Sequence, residues 1–244
     1  MTFYGLSDKG MTRKTNQDDF LICSKKHNKK VYIALCDGMG GVTGGEIASA
    51  IAIKTFEKRV EAAGDKTLKH SQCSAFLYDI VNEANENIYG SALNDPALLG
   101  MGTTFVAAVC DENKITVANV GDSRAYLIDS EGIRQITKDH SLVNELLEHG
   151  EISRREANIH PKKNVITRAL GVEKKVECDI FDMNVKSGQY LLICSDGLTN
   201  EVSDPELHFE VCNADSIESA CNSLVSIANT RGGHDNITVI IGAF

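Results

Sequence analysis

Two apolar runs in this sequence stop abruptly at the same dipeptide. Val31-Tyr32-Ile33-Ala34-Leu35-Cys36 runs into Asp37-Gly38, and Tyr190-Leu191-Leu192-Ile193-Cys194-Ser195 runs into Asp196-Gly197. Short apolar runs of this kind read as β-strands. Further strand-like segments fall at 103–110, 115–120, 124–129 and 236–242. Asp111-Glu112-Asn113 makes a short polar turn between two of them, so that pair is an antiparallel hairpin. Three stretches carry the periodicity of amphipathic helices: 46 to about 60, 73–89 and 217–228. The second shows its stripe as Phe76, Leu77, Ile80, Val81, Ala84 and Ile88. Strands and helices come in groups rather than in strict alternation, which predicts an α+β layered fold over a doubly wound parallel sheet. The segment 138–171 is polar, poor in strand signals, and reads as a small helical insertion or flap.

Asp plus Glu number 34 against 25 Lys plus Arg, a net charge of −9. Such a chain repels a phosphodiester backbone, so a nucleic-acid partner is not expected. No stretch approaches the roughly 18 apolar residues of a membrane span, and the first eight residues hold no apolar signal core. The eight cysteines include no CxxC pair, and several sit in apolar runs as small hydrophobes. The expectation is a reduced, cytoplasmic chain forming one domain over 1–244, monomeric by default. The glycosylation sequon Asn236-Ile237-Thr238 is expected to be coincidental.

The chemistry lies in where the aspartates fall. Asp37 and Asp196 follow apolar strands, Asp122 follows Val117-Ala118-Asn119-Val120-Gly121, and Asp235 opens the last strand. One Asp-Gly at a strand end is usually a turn. Four strand ends can converge, and clustered carboxylates raise one another's pKa unless a cation neutralises them. An all-oxygen set suits magnesium or manganese rather than zinc. Near the N-terminus, Arg13 offers a planar fork that fits a phosphate in two-point contact, and Asp18 follows five residues later. The glycine-rich stretch 38–45 matches neither phosphate-loop pattern, because GxxxxGK[ST] is absent and Thr43 takes the third glycine place of GxGxxG.

Gly10–Phe20, Asp37-Gly38-Met39-Gly40-Gly41, Gly102-Thr103-Thr104, Gly121-Asp122-Ser123-Arg124-Ala125-Tyr126, Cys194-Ser195-Asp196-Gly197-Leu198 and Asp235-Asn236-Ile237-Thr238 occur in this order. Together they resemble the metal-dependent protein phosphatases of the phosphatase 2C type, in their compact bacterial form. The resemblance covers essentially the whole chain. It implies an αββα sandwich, two antiparallel sheets between two helical layers. It implies hydrolysis of phosphoserine and phosphothreonine in proteins by a metal-activated water, in one in-line step.

Carried over residue by residue, Asp37 resembles the ligand bridging two Mn2+ or Mg2+ ions. The Gly38 carbonyl resembles a ligand to one of them, and Asp196 and Asp235 resemble ligands of the other. Asp122, with Asp196, resembles a weaker third-metal site. Asp18 resembles the carboxylate that orders metal-bound water, and Arg13 the phosphate-binding arginine. Met39 stands where animal members have His, which leaves the leaving-group acid to a metal-bound water, with His234 as second candidate. Gln17 stands where some members have Glu. The implied partners are Ser/Thr-phosphorylated proteins and, by logic alone, a cognate Ser/Thr kinase. The competing readings are a non-catalytic phosphoprotein-binding pseudo-phosphatase and a phosphatase of small metabolites. The first is disfavoured because Asp37, Asp196 and Asp235 are all present.

Overall fold

The apolar run at 31–36 lies inside a longer strand, β3 (Lys30–Met39), whose alternate side chains enter two different cores. The computed structural model describes residues 1–25, 29–41, 44–64 and 68–244; Val42 and Thr43 of the glycine-rich stretch lie outside them. Around β3 the described residues form β1 (Thr2–Asp8), β2 (Asp18–Lys25), α1 (Gly44–Ala63), α2 (His70–Asn94), β4 (Gly102–Thr103), β5 (Phe105–Cys110), β6 (Lys114–Val120), β7 (Arg124–Asp129) and β8 (Gly132–Gln135). They continue with α3 (Leu142–Glu148), α4 (Arg154–Asn158), β9 (Asp179–Asn184), β10 (Tyr190–Cys194), α5 (Asp196–Thr199), α6 (Asp204–Asn213), α7 (Ile217–Thr230) and β11 (Ile237–Ala243).

Two antiparallel sheets result. One runs β1-β11-β10-β7-β8 and the other β2-β3-β5-β6-β9, with β4 paired to β3. The strand period of two sorts the core into three layers. Val31, Ile33 and Leu35 face Ala125, Leu191, Ile193 and Ile240 between the sheets. Tyr32, Ala34 and Cys36 face the other way, against Phe56, Leu77, Ile80 and Ile88 of α1 and α2. On the opposite side, Leu192, Cys194, Val239 and Ile241 pack against Leu207, Cys221, Leu224 and Ala228 of α6 and α7. The fold is an αββα sandwich.

The six strands and three helices expected from periodicity are present, with altered bounds. The segment 103–110 is not one strand. Thr104 interrupts it, because its N–H donates to the Asp37 carbonyl and its hydroxyl pairs with Ser123 at 2.8 Å. The hairpin closes through Asp111 N–H to the Lys114 carbonyl, 2.9 Å. Four strands were not legible: β1, β2, β8 and β9. All four are sheet edges. Their side chains are mostly half-buried, so no clean apolar run marks them. The segment 138–171 contains the short helices α3 and α4, each opened by a serine whose side chain accepts an N–H from its first turn.

Candidate active site

The two sheets meet at one end in a polar seam. Asp18 and Asp37 are directly opposed in the β2–β3 register. Both lie on the inter-sheet side by strand parity, Asp37 after Val31, Ile33 and Leu35, and Asp18 before Phe20 and Ile22. The facing sheet supplies donors. Asp18 Oδ2 accepts from Ser195 Oγ at 2.8 Å and from Thr238 Oγ1 at 2.7 Å. Asn16 Nδ2 donates to Ser7 Oγ, which sits 2.7 Å from Thr238 Oγ1, so the network continues to the surface. The Asp37 N–H donates to Thr104 Oγ1, and its carbonyl accepts from Thr104 N and Thr103 Oγ1.

The other predicted residues come to the same end. Asp196 opens α5 with Ser195 as the preceding cap residue. Its Oδ2 accepts from Asn200 Nδ2 at 3.0 Å, and its buried Oδ1 has no hydrogen-bond partner. Asp122 follows Gly121 just past β6 and is buried. Asp235 precedes β11; its Oδ1 accepts the Asn236 N–H and its Oδ2 accepts Arg13 NH2 at 2.6 Å. His234 pairs through Nδ1 with Glu201 at 2.7 Å on the exposed surface. Asn236 is buried and its amide donates to the carbonyls of Lys9 and Thr15, so the sequon is structural and closed to glycosylation.

Close approach requires glycine directly after Asp37 and after Asp196. A Cβ on Gly38 would collide with the carbonyl of Gly45, where the start of α1 presses on β3. A Cβ on Gly197 would collide with the Asn236 carbonyl. Neither residue has a positive φ, so proximity rather than turn geometry sets the need.

Burial and mutual repulsion raise four of the carboxyls, those of Asp18, Asp37, Asp122 and Asp196. Asp18 is pushed up to about 7, chiefly by burial and then by Asp196 and Asp235, against the opposing bonds from Thr238 and Ser195. Asp122 is pushed up to about 8 by burial and by Asp196 and Asp139. Asp37 is raised well above the carboxylate range by burial, then by Asp18 and Asp196. Asp196 is raised by burial and Asp235. One buried oxygen on each of Asp18, Asp122 and Asp196 has no hydrogen-bond partner. Among the described residues, no three acidic, His or Cys side chains converge as a ready ligand set for a single ion. What the seam presents is pairs of carboxyls with free, buried, hard oxygen atoms, the donor type that a divalent cation compensates.

A cleft of about 870 Å3 opens from Asp122 and Asp196. The segment carrying α3 and α4 contributes Lys138, Arg154 and Lys163, and the α5–α6 side contributes Asn200 and Asp204. Lys163 Nζ donates to Asn200 Oδ1 at 3.1 Å, one hydrogen bond away from Asp196. The sequence reading gave no role to Ser195, Thr238, Asn200 or Asn236. Three of these lie inside the motifs already quoted, which is the only signal that marks them.

Residues 11–224 match the family model described as protein phosphatase 2C. Over 237 residues, the chain is 40% identical to the serine/threonine phosphatase stp of Listeria monocytogenes, covering 96% of this chain and 92% of that protein. It is 37% identical over 237 residues to the protein phosphatase PhpP of Streptococcus pneumoniae, covering 97% and 94%. The crystal structure of serine/threonine phosphatase Stp1 from Staphylococcus aureus superposes with a TM-score of 0.94 at 36% identity, covering 99% of this chain and 94% of that one.

Proposed function

The chain belongs to the protein phosphatase 2C family, and from that premise we infer that the carboxylate seam is where it hydrolyses phosphoserine and phosphothreonine monoesters in proteins. It is a metal-dependent protein serine/threonine phosphatase. The observation that carries the site is the gathering of Asp18, Asp37, Asp122 and Asp196, whose charges raise one another and leave buried oxygens unpartnered.

In this reading the ions are two Mn2+ or Mg2+, with a weaker third. Asp37 would be shared by the first two, the Gly38 carbonyl would serve one, and Asp196 and Asp235 would serve the other. Asp122 would join Asp196 at the third site. When bound, such ions neutralise phosphoryl charge and lower the pKa of a water so that it is nucleophilic at neutral pH. Asp18 is braced by Ser195 and Thr238 through Oδ2, which leaves Oδ1 to orient a water. Arg13 is half-exposed at the mouth and directs its guanidinium to phosphoryl oxygens, exchanging its present contact with Asp235. Met39 offers no proton, so the leaving alkoxide would take one from a water held at the ions, with His234 the second candidate. No thiol takes part.

The substrates are Ser/Thr-phosphorylated proteins, and a cognate Ser/Thr kinase is the natural counterpart. Residues 1–244 act as one monomeric catalytic unit, with 138–171 as a flap beside the cleft. Eight free cysteines support placement in the reducing cytoplasm. Among the described residues no helix is long and apolar enough to cross a membrane. The test is phosphopeptide hydrolysis against manganese and magnesium titrations, with free nucleotides as competing substrates. Asp196→Ala is expected to lose several orders of magnitude; near-normal rates would remove Asp196 from the site, and a preference for nucleotides would overturn the substrate class.

A further inference from the structure

The loop between β8 and α3 places His140 beneath the turn that carries Asp122. Both backbone polar groups of Gly121 are held by this one residue. The Gly121 N–H donates to His140 Nδ1 at 3.0 Å, and the His140 N–H donates to the Gly121 carbonyl at 3.0 Å. The turn has little freedom of its own. Gly121 has φ +112°, and a Cβ there would run into Thr104, the residue bonded to Asp37. Asn119 Nδ2 donates to the Lys138 carbonyl at 2.8 Å, and Arg124 grips Asp139 through Nε and NH2, so the strap 138–140 is fixed on both sides of Asp122.

The far side of the ring faces charge. His140 Nε2 lies 3.3 Å from Asp179 Oδ2 and 3.3 Å from Arg168 NH1, while the Arg168 guanidinium bonds Asp179 Oδ1 at 3.2 Å. Because Nδ1 accepts from Gly121, the neutral ring carries its proton on Nε2 and donates to Asp179. Burial and Arg168 lower the affinity of the ring for a second proton, against the opposing pull of Asp179 and Asp139. A doubly protonated ring would have no acceptor left for Gly121. The His140 carbonyl also accepts the Thr167 N–H at 2.8 Å, so the same residue ties in the return of the 138–171 segment.

We propose that His140 is a positioning residue for Asp122: its neutral imidazole, protonated on Nε2, fixes Gly121 and thereby the point at which the Asp122 carboxylate is presented to the cleft. This rests on the reading of Asp122 as the third-ion carboxylate. The bland alternative is a satisfied core histidine that holds the strap and nothing else.

Two near-isosteric variants separate these. His140→Asn keeps an acceptor at the Nδ1 position and loses the reach to Asp179. His140→Gln reaches Asp179 and leaves the Gly121 N–H without an acceptor. Manganese binding is followed by calorimetry without substrate, alongside kcat and KM for a phosphopeptide. His140→Gln is expected to weaken the lowest-affinity manganese site about tenfold or more, as loss of an outer partner does, and to lower kcat with little change in KM. His140→Asn is expected to restore most of both. The double variant His140→Gln with Asp122→Asn should be no worse than Asp122→Asn alone. Nitrogen NMR of the wild-type ring should show the proton on Nε2. Equal losses in the Asn and Gln variants, additive losses in the double variant, or a proton on Nδ1 would each overturn the proposal. If Asp122→Asn by itself leaves manganese binding unchanged, the reading of Asp122 fails first and takes the proposal with it.

Discussion

Arg13 and Asp235, 222 residues apart in the chain, form a 2.6 Å ion pair at the mouth of the carboxylate seam. The group read as the phosphate binder and a group read as a metal ligand are thus each other's partner. The Arg13 side chain is 51% exposed, and an exposed pair contributes roughly 0–1 kcal/mol. Arg13→Lys should therefore leave the melting temperature nearly unchanged. It should lower kcat/KM for a phosphopeptide by about 10²-fold, because a point charge replaces the two-point fork. Steady-state kinetics and a melting curve on the same preparation check both halves. A large loss of stability with normal kinetics would assign Arg13 to the fold instead.

The raised carboxyls make the metal-free protein sensitive to pH in a definite direction. A carboxyl held above its unfolded value, near 3.9 for Asp, binds its proton more tightly in the folded chain. The stability it contributes is complete below the unfolded value and is lost as pH rises through the folded one. For Asp18 and Asp122 that window ends at about 7 and about 8. In chelator, the melting temperature should fall as pH is raised from about 5 to about 8, and manganese should reverse the fall. Asp18→Asn should flatten the slope, since its amide oxygen still accepts from Ser195 and Thr238. A metal-free melting temperature that rises over this range would contradict the cluster.

Cys36 and Cys194 adjoin the site in sequence but face the helical layers, fully buried, and burial raises both thiols. Iodoacetamide on the native protein should leave phosphatase activity intact while a chelator abolishes it. The reverse pattern would mean a cysteine nucleophile.

Gly38→Ala forces a methyl group into the Gly45 carbonyl at the start of α1. Overpacking of this kind costs about 1–3 kcal/mol, which lowers the melting temperature by roughly 2–12 °C in a chain of this size. Activity should fall with it, because Gly38 adjoins Asp37. Gly41→Ala is the contrast: a Cβ there meets nothing within 4 Å, so only its backbone conformation, φ +60°, is strained. A melting temperature for Gly38→Ala equal to wild type would show that α1 yields to the methyl group.

The sequence marked the strands that are covered on both faces and left the edges dark. β3, β5, β6, β7, β10 and β11 are interior to their sheets and read as apolar runs; β1, β2, β8 and β9 are edges. β2 carries Asp18, so one site residue was named from motif alone while the element holding it went unread. Helix α6 was also unread, although Ser203 and Glu206 form a capping box at its start.

The chain order of residues determined which aspartates surface at strand ends and that their oxygen chemistry suits hard cations, because strand period and residue type are local properties. Packing alone decided the pairings. Asp18 receives its hydrogen bonds from residues 177 and 220 positions away, Arg13 meets Asp235, and His140 grips Gly121. Those contacts depend on how two twisted sheets register to within a hydrogen-bond length, and no local pattern encodes that distance.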